Sequence, residues 1–136
     1  MLQATNRLLS LNEKHLQKMN ANMKSAGVKS AVMLTGGVGD IGDANPTKRK
    51  KAVETYKKWV DVASVLGCKS MRNVCAQFIT VSHEEKLKCS IEGVSELGAY
   101  AASKNIDLLI ENHNGYSSDP DWMINLMEGV NQKNVG

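Results

Sequence analysis

The sequence predicts an α/β fold in which parallel strands are covered by amphipathic helices. Apolar residues recur at steps of three and four in four segments, and short apolar runs lie between those segments. Helical stripes alternating with continuous apolar runs are what buried parallel strands under helices require. The string Gly27-Val28-Lys29-Ser30 also returns forty residues later as Gly67-Cys68-Lys69-Ser70, and a third strand is expected to open near residue 106. A unit of that length suits either a (β/α)₈ barrel or a doubly wound sheet.

The elements follow in order. Ser10 with Glu13 reads as a capping box opening a helix whose stripe is Leu16, Met19, Met23 and Ala26. Gly27 closes it, and residues 28–35 form the first apolar run. Asn45 before Pro46 reads as an N-cap followed by a first-turn proline, and the stripe Ala52, Tyr56, Trp59, Ala63, Leu66 runs to Gly67. Residues 69–75 are the second run. Ser82 with Glu85 is another capping box, followed by Leu87, Ile91, Val94, Leu97 and Ala101 and closed at Asn105. Residues 106–111 are the third run; Asp119 before Pro120 then opens a helix lined by Met123, Leu126, Met127 and Val130. Gly36-Gly37-Val38-Gly39-Asp40 is glycine-rich, but the loop continues to Pro46 before a helix begins. Its glycines therefore do not form a dinucleotide-binding turn.

Composition excludes several functions. The chain has 136 residues, one domain in size, and 42% of them are hydrophobic. Its 17 basic and 14 acidic residues leave +3, too little to argue for nucleic acid. No apolar run reaches membrane-spanning length, and Met1 to Leu9 lack the apolar centre of a signal peptide. The three cysteines, at 68, 75 and 89, form no CxxC pair and read as reduced thiols of a cytoplasmic protein. Lys48-Arg49-Lys50-Lys51 reads as a solvated helix face, and His15 and His83 as exposed residues near helix starts.

Chemistry concentrates in Ile110-Glu111-Asn112-His113-Asn114-Gly115, which closes the strand Leu108-Leu109-Ile110. A carboxylate at the carboxyl end of a buried parallel strand must be paired, protonated, metal-bound or able to reach solvent, because a bare buried charge is too costly. Arg72, near its own strand's end, either binds a hydroxyl or phosphate group of a ligand or forms an ion pair there. His113 either contacts substrate or packs the loop.

From about residue 11 to 136 the chain resembles the sugar phosphate isomerase/epimerase family, the xylose isomerase-like TIM barrels. The resemblance rests on Gly39-Asp40-Ile41-Gly42-Asp43, Lys58-Trp59-Val60-Asp61-Val62-Ala63, Leu66 to Arg72, Ile110-Glu111-Asn112-His113 with Tyr116-Ser117-Ser118, and the closing Asn134-Val135-Gly136. It implies a partial TIM barrel over residues 1–136, about half of one, with roughly three parallel strands and four helices and without the opening strands or the C-terminal half. The implied activity is isomerisation or epimerisation of a sugar or sugar phosphate through one divalent metal ion: manganese, magnesium, cobalt or zinc. Glu111 matches a metal-ligand glutamate that can also serve as acid/base; with a sugar as substrate, Arg72, Asn112 and His113, by their places near the strand ends, are the expected substrate contacts. The implied partner is a small sugar, with homo-oligomers possible through open strand edges.

A complete barrel needs roughly 250 residues, so no turnover is expected of these 136 alone. The family usually reads Arg-Val-Asn where this chain has Arg72-Asn73-Val74, an exchange that puts each of the last two on the other face unless a bulge corrects it. Two rival readings are a zinc-dependent abasic-site endonuclease on the same barrel and a non-catalytic α/β binding module.

Overall fold

The computed structural model describes residues 13–76 and 78–136, together with the backbone of residues 2–3. Ser10, the other half of the capping box with Glu13, lies outside the described residues, as do most of Met1 to Leu9. The order is β1 (Leu2–Gln3), α1 (Glu13–Ser25), β2 (Val32–Leu34), α2 (Pro46–Val65), β3 (Ser70–Val74), α3 (His83–Ser103), β4 (Asp107–Glu111), a 3₁₀ turn (Gly115–Ser118) and α4 (Pro120–Val130). The expected three strands are β2, β3 and β4, and β1 adds a two-residue edge. All pairings are parallel, in the order β1-β2-β3-β4. Beyond β4 a further parallel bridge joins Leu108 to Val135: the Leu108 and Ile110 amides donate to Asn134 O and Gly136 O at 2.8 and 2.7 Å.

The helix starts follow from capping chemistry. Asn45 Oδ1 accepts from the Thr47 and Lys48 amides, Asp119 Oδ1 from those of Asp121 and Trp122, and Ser82 Oγ from that of Glu85. Three helix ends share one geometry. Gly27, Gly67 and Asn105 take φ of 68°, 73° and 57°. The amides that follow, of Val28, Cys68 and Ile106, reach back to Met23 O, Ala63 O and Ala101 O. This is the Schellman closure, and it accounts for the repeated Gly-x-Lys-Ser string: the glycine supplies the left-handed turn and the next residue caps the helix. It also explains why β2 begins at Val32 and not at 28, since Val28 belongs to the cap.

The strands sort their side chains into two environments. Met33, Met71, Asn73 and Leu108 are fully buried and Ile110 nearly so, all under the helices. Their neighbours Val32, Leu34, Ser70, Arg72, Val74 and Glu111 are half-buried, and Leu109 is 36% exposed. The helices pack in sequence order, α1 on α2, α2 on α3, α3 on α4. One sheet face is covered and the other bare, as in an arc of a barrel; a doubly wound sheet would carry helices on both faces. Among the described residues no helix is long and apolar enough to cross a membrane.

The core is built around Trp59, Trp122, Tyr56, Leu97 and Leu108, all at most 1% exposed. On α3 the buried set is Lys86, Cys89, Ser90, Gly93, Val94, Leu97, Gly98 and Ala101. The expected stripe is thus rotated in its first turns, where Leu87 and Ile91 are only half-buried. The rotation is imposed by the loop between β2 and α2, which docks on α3: a β-carbon at Gly93 would sit 1.8 Å from Ile41 O, and one at Gly42 2.2 Å from Ser90 Oγ. Arg49 ties the same loop down, donating to Asp43 O and pairing with Glu92, both at 2.6 Å. It is therefore not part of a purely solvated face. His83 is likewise not fully exposed; it meets Tyr116 edge-on at 5.2 Å. Replacing Gly93 by alanine is expected to push this loop off α3 and cost about 1–3 kcal/mol, read from a urea unfolding midpoint.

Candidate functional site

The carboxyl ends of β2, β3 and β4 surround a cavity of about 410 Å³ lined by Gly36, Gly37, Gly39, Asp40, Tyr56, Arg72, Val74, Phe78 and His113. Register places its polar wall. Arg72 lies opposite Leu109 and Val74 opposite Glu111, so Arg72 and Glu111 are diagonal neighbours on the bare face. Arg72 Nε approaches Glu111 Oε2 at 2.5 Å, with the two side chains 24% and 33% exposed. The contact is an ion pair without hydrogen-bond alignment. The other carboxylate oxygen, Oε1, lies 3.0 Å from His113 Nδ1. Arg72 Nη1 also donates to Thr35 O at 3.2 Å, linking β3 to the end of β2.

The strand ends at Glu111, yet the chain stays extended enough for His113 to return to Glu111's side. The His113 amide donates to Ser117 Oγ, and Ser117 Oγ donates to Asn114 O, which fixes the turn. Asn112 consequently points the other way, into a separate pocket of about 360 Å³ with Ser117, Ser118 and Met123. Of the four residues singled out in the sequence, the structure brings together Glu111, Arg72 and His113 and sets Asn112 apart.

The exchanged pair Arg72-Asn73-Val74 keeps an unbroken ladder, with no bulge to correct it. Asn73 therefore faces the helices, fully buried, with neither end of its amide well aligned to a partner and the Tyr56 hydroxyl beside it. Val74 takes the place on the cavity wall. The polar group that the family pattern would present there is turned inward.

Sequence reasoning missed a buried ion pair. Lys86 Nζ meets Asp40 Oδ2 at 2.6 Å, with side chains 1% and 9% exposed. Asp40 Oδ1 accepts from the Gly42 amide at 2.7 Å, so one carboxylate anchors both loop and helix. The available signal was Lys86 standing three, four and seven residues before Cys89, Ser90 and Gly93, on the buried face of α3. Burial raises the Tyr56 hydroxyl pKa, and burial with the nearby Asp40 charge pushes the Cys75 thiol up to about 12, so neither ionises near neutrality.

Glu111 offers an oxygen donor of the kind divalent ions take. It does not make a metal centre by itself: among the described residues no three His, Cys, Asp or Glu side chains converge.

Residues 2–136 match the family model described as xylose isomerase-like TIM barrel. No curated protein matches by sequence. Among solved structures, a D-tagatose 3-epimerase-like protein superposes with a TM-score of 0.82 at 17% identity, covering 98% of this chain and 52% of that one. The IolI protein with a bound zinc atom gives 0.77 at 16%, covering 99% and 50%. D-psicose 3-epimerase in the presence of D-fructose gives 0.75 at 14%, covering 94% and 48%. At these identities the likeness is one of fold, and the chain spans about half the length of these structures.

Replacing Lys86 by methionine is expected to destabilise the chain by about 3–5 kcal/mol, because it strands Asp40 inside. Pairing that change with Asp40→Asn should recover most of the loss, as measured by chemical denaturation.

Proposed function

Given that the chain belongs to the xylose isomerase-like TIM barrel family, we propose that it carries part of the active centre of a divalent-metal-dependent sugar or sugar phosphate isomerase or epimerase. The observation that carries this reading is Glu111 at the carboxyl end of β4, on the uncovered sheet face, beside a cavity wide enough for a small sugar. The solved structures with this fold include D-psicose 3-epimerase in the presence of D-fructose and the IolI protein with a bound zinc atom. No feature favours the endonuclease or binding-module readings over this one.

In this reading Glu111 is a metal ligand and also the acid/base. A bound divalent ion would supply Lewis acidity to the oxygens of a hydroxy-carbonyl sugar. Glu111 takes a proton from the hydroxyl-bearing carbon next to the carbonyl, and the electron pair moves onto the carbonyl oxygen to give an enediolate. Return of that proton to the former carbonyl carbon, with the hydroxyl proton passing from the neighbouring oxygen to the former carbonyl oxygen, isomerises the sugar; epimerisation needs a second acid, on the opposite face, to protonate the first carbon while the carbonyl re-forms. Arg72 and His113, on the cavity wall, touch sugar oxygens, whereas Asn112 would reach only a substituent extending into the neighbouring pocket. The 136 residues bring together one such carboxylate, so turnover is expected only where further barrel strands complete the site.

The test is solvent deuterium exchange into ketose sugars by the protein carrying this chain, with manganese present. Glu111→Gln should cut exchange by about 10²–10⁴-fold. Exchange that survives this substitution would remove Glu111 from the chemistry.

A further inference from the structure

We infer, resting on the sugar reading given above, that Val74 selects a deoxy sugar: one that presents a methyl or methylene group, and not a hydroxyl, to the end of β3, beside the carbon on which Glu111 acts. The cavity is polar on two sides and apolar between them. Toward β2, nothing stands within 4 Å of where a β-carbon would sit on Gly36 or Gly37. The amides of these two glycines donate to no acceptor among the described residues, so they are open to ligand oxygens. Arg72 and, from the far side, His113 add polar groups. At the end of β3, between these sides, the described residues after Arg72 give the cavity only Val74 and Phe78. Cys75 and Ala76 are wholly buried, and the Phe78 ring is 65% exposed, with apolar surface left to cover.

Register makes the position specific. Val74 is the Cα partner of Glu111, and adjacent strands lie about 4.8 Å apart. A sugar carbon that gives its proton to Glu111 therefore has a neighbour against the valine methyls. A hydroxyl on that neighbour would leave water and find no partner, whereas a methyl or methylene group loses nothing there. The nearest amide on the strand cannot help. Asn73 is fully buried on the helical side, and only a slip of register would bring it round. Asp40 and Tyr56 also line the cavity, but their polar groups are engaged: the carboxylate by Lys86 and the Gly42 amide, the hydroxyl by Gly39 O at 3.4 Å. Val74 is thus a specificity-determining residue that takes no part in the proton transfer.

The experiment is a titration of the intact protein with D-fructose and with 1-deoxy-, 3-deoxy- and 4-deoxy-D-fructose, each lacking one hydroxyl near the carbonyl. Binding is read from the amide signals of Gly36, Gly37 and Val74 in an assigned spectrum. Wild type should bind at least one deoxy ketose about tenfold to a hundredfold more tightly than D-fructose, the range by which an apolar wall rejects an added hydroxyl. Val74→Thr keeps the side-chain shape and supplies a hydroxyl. It should bring D-fructose within about threefold of that deoxy sugar, by tightening D-fructose. Val74→Ala, which supplies none, should keep the preference. Equal wild-type affinity for all these sugars, or a preference that Val74→Thr leaves untouched, overturns the inference while leaving a sugar site in place. If no sugar moves these signals, the sugar reading itself falls and the inference with it.

Discussion

The two-residue periodicity of β3 and β4, locked in parallel register, is the constraint on which the rest of the structure depends. Successive side chains must point to opposite faces. Helices cover one face, so Met71, Asn73, Leu108 and Ile110 are committed to the core, and Arg72, Val74, Leu109 and Glu111 to the uncovered side. A slip of one residue would bury Arg72 and Glu111 under the helices and expose the methionine and leucine that hold the layers together. The ion pair, the cavity wall and the direction of Glu111 all follow from that single choice of register.

A second constraint holds the mouth in shape. The loop from Gly36 to Asn45 is long, and its backbone has few partners of its own in the sheet. It is fixed by burying Ile41 against Gly93, by the Asp40–Lys86 pair and by Arg49 reaching Glu92. A buried ion pair is a poor source of net stability, because desolvation offsets much of its attraction. Its role here is to specify one loop position, which sets where Gly36, Gly37 and Gly39 stand around the cavity.

Much of the fold was legible in the sequence because local chemistry wrote it. Asn45, Ser82 and Asp119 declare helix starts, and Gly27, Gly67 and Asn105 declare ends, through bonds that span only a few residues. Glu111 and Arg72 stood out because charged groups at the ends of apolar runs need a reason to be there. Less local features were hidden. The Lys86–Asp40 pair joins residues 46 apart, and nothing in either neighbourhood names the other. The rotation of the α3 stripe toward Lys86 and Gly93 depends on a loop docking from elsewhere. That His113 turns toward Glu111 while Asn112 turns away depends on the bend held by Ser117, which periodicity does not encode once the strand has ended.

The central claim is that Glu111 and Arg72 share the uncovered face at the carboxyl ends of the parallel strands, where a cation and a sugar would meet. Paramagnetic broadening of backbone amide signals by manganese, mapped along an assigned spectrum, tests it most directly. The account predicts broadening confined to residues 35–40, 72–74 and 111–113, with signals near Gly27 and Gly67 at the opposite end untouched. Broadening centred on that opposite end, or on the helical surface, would contradict it.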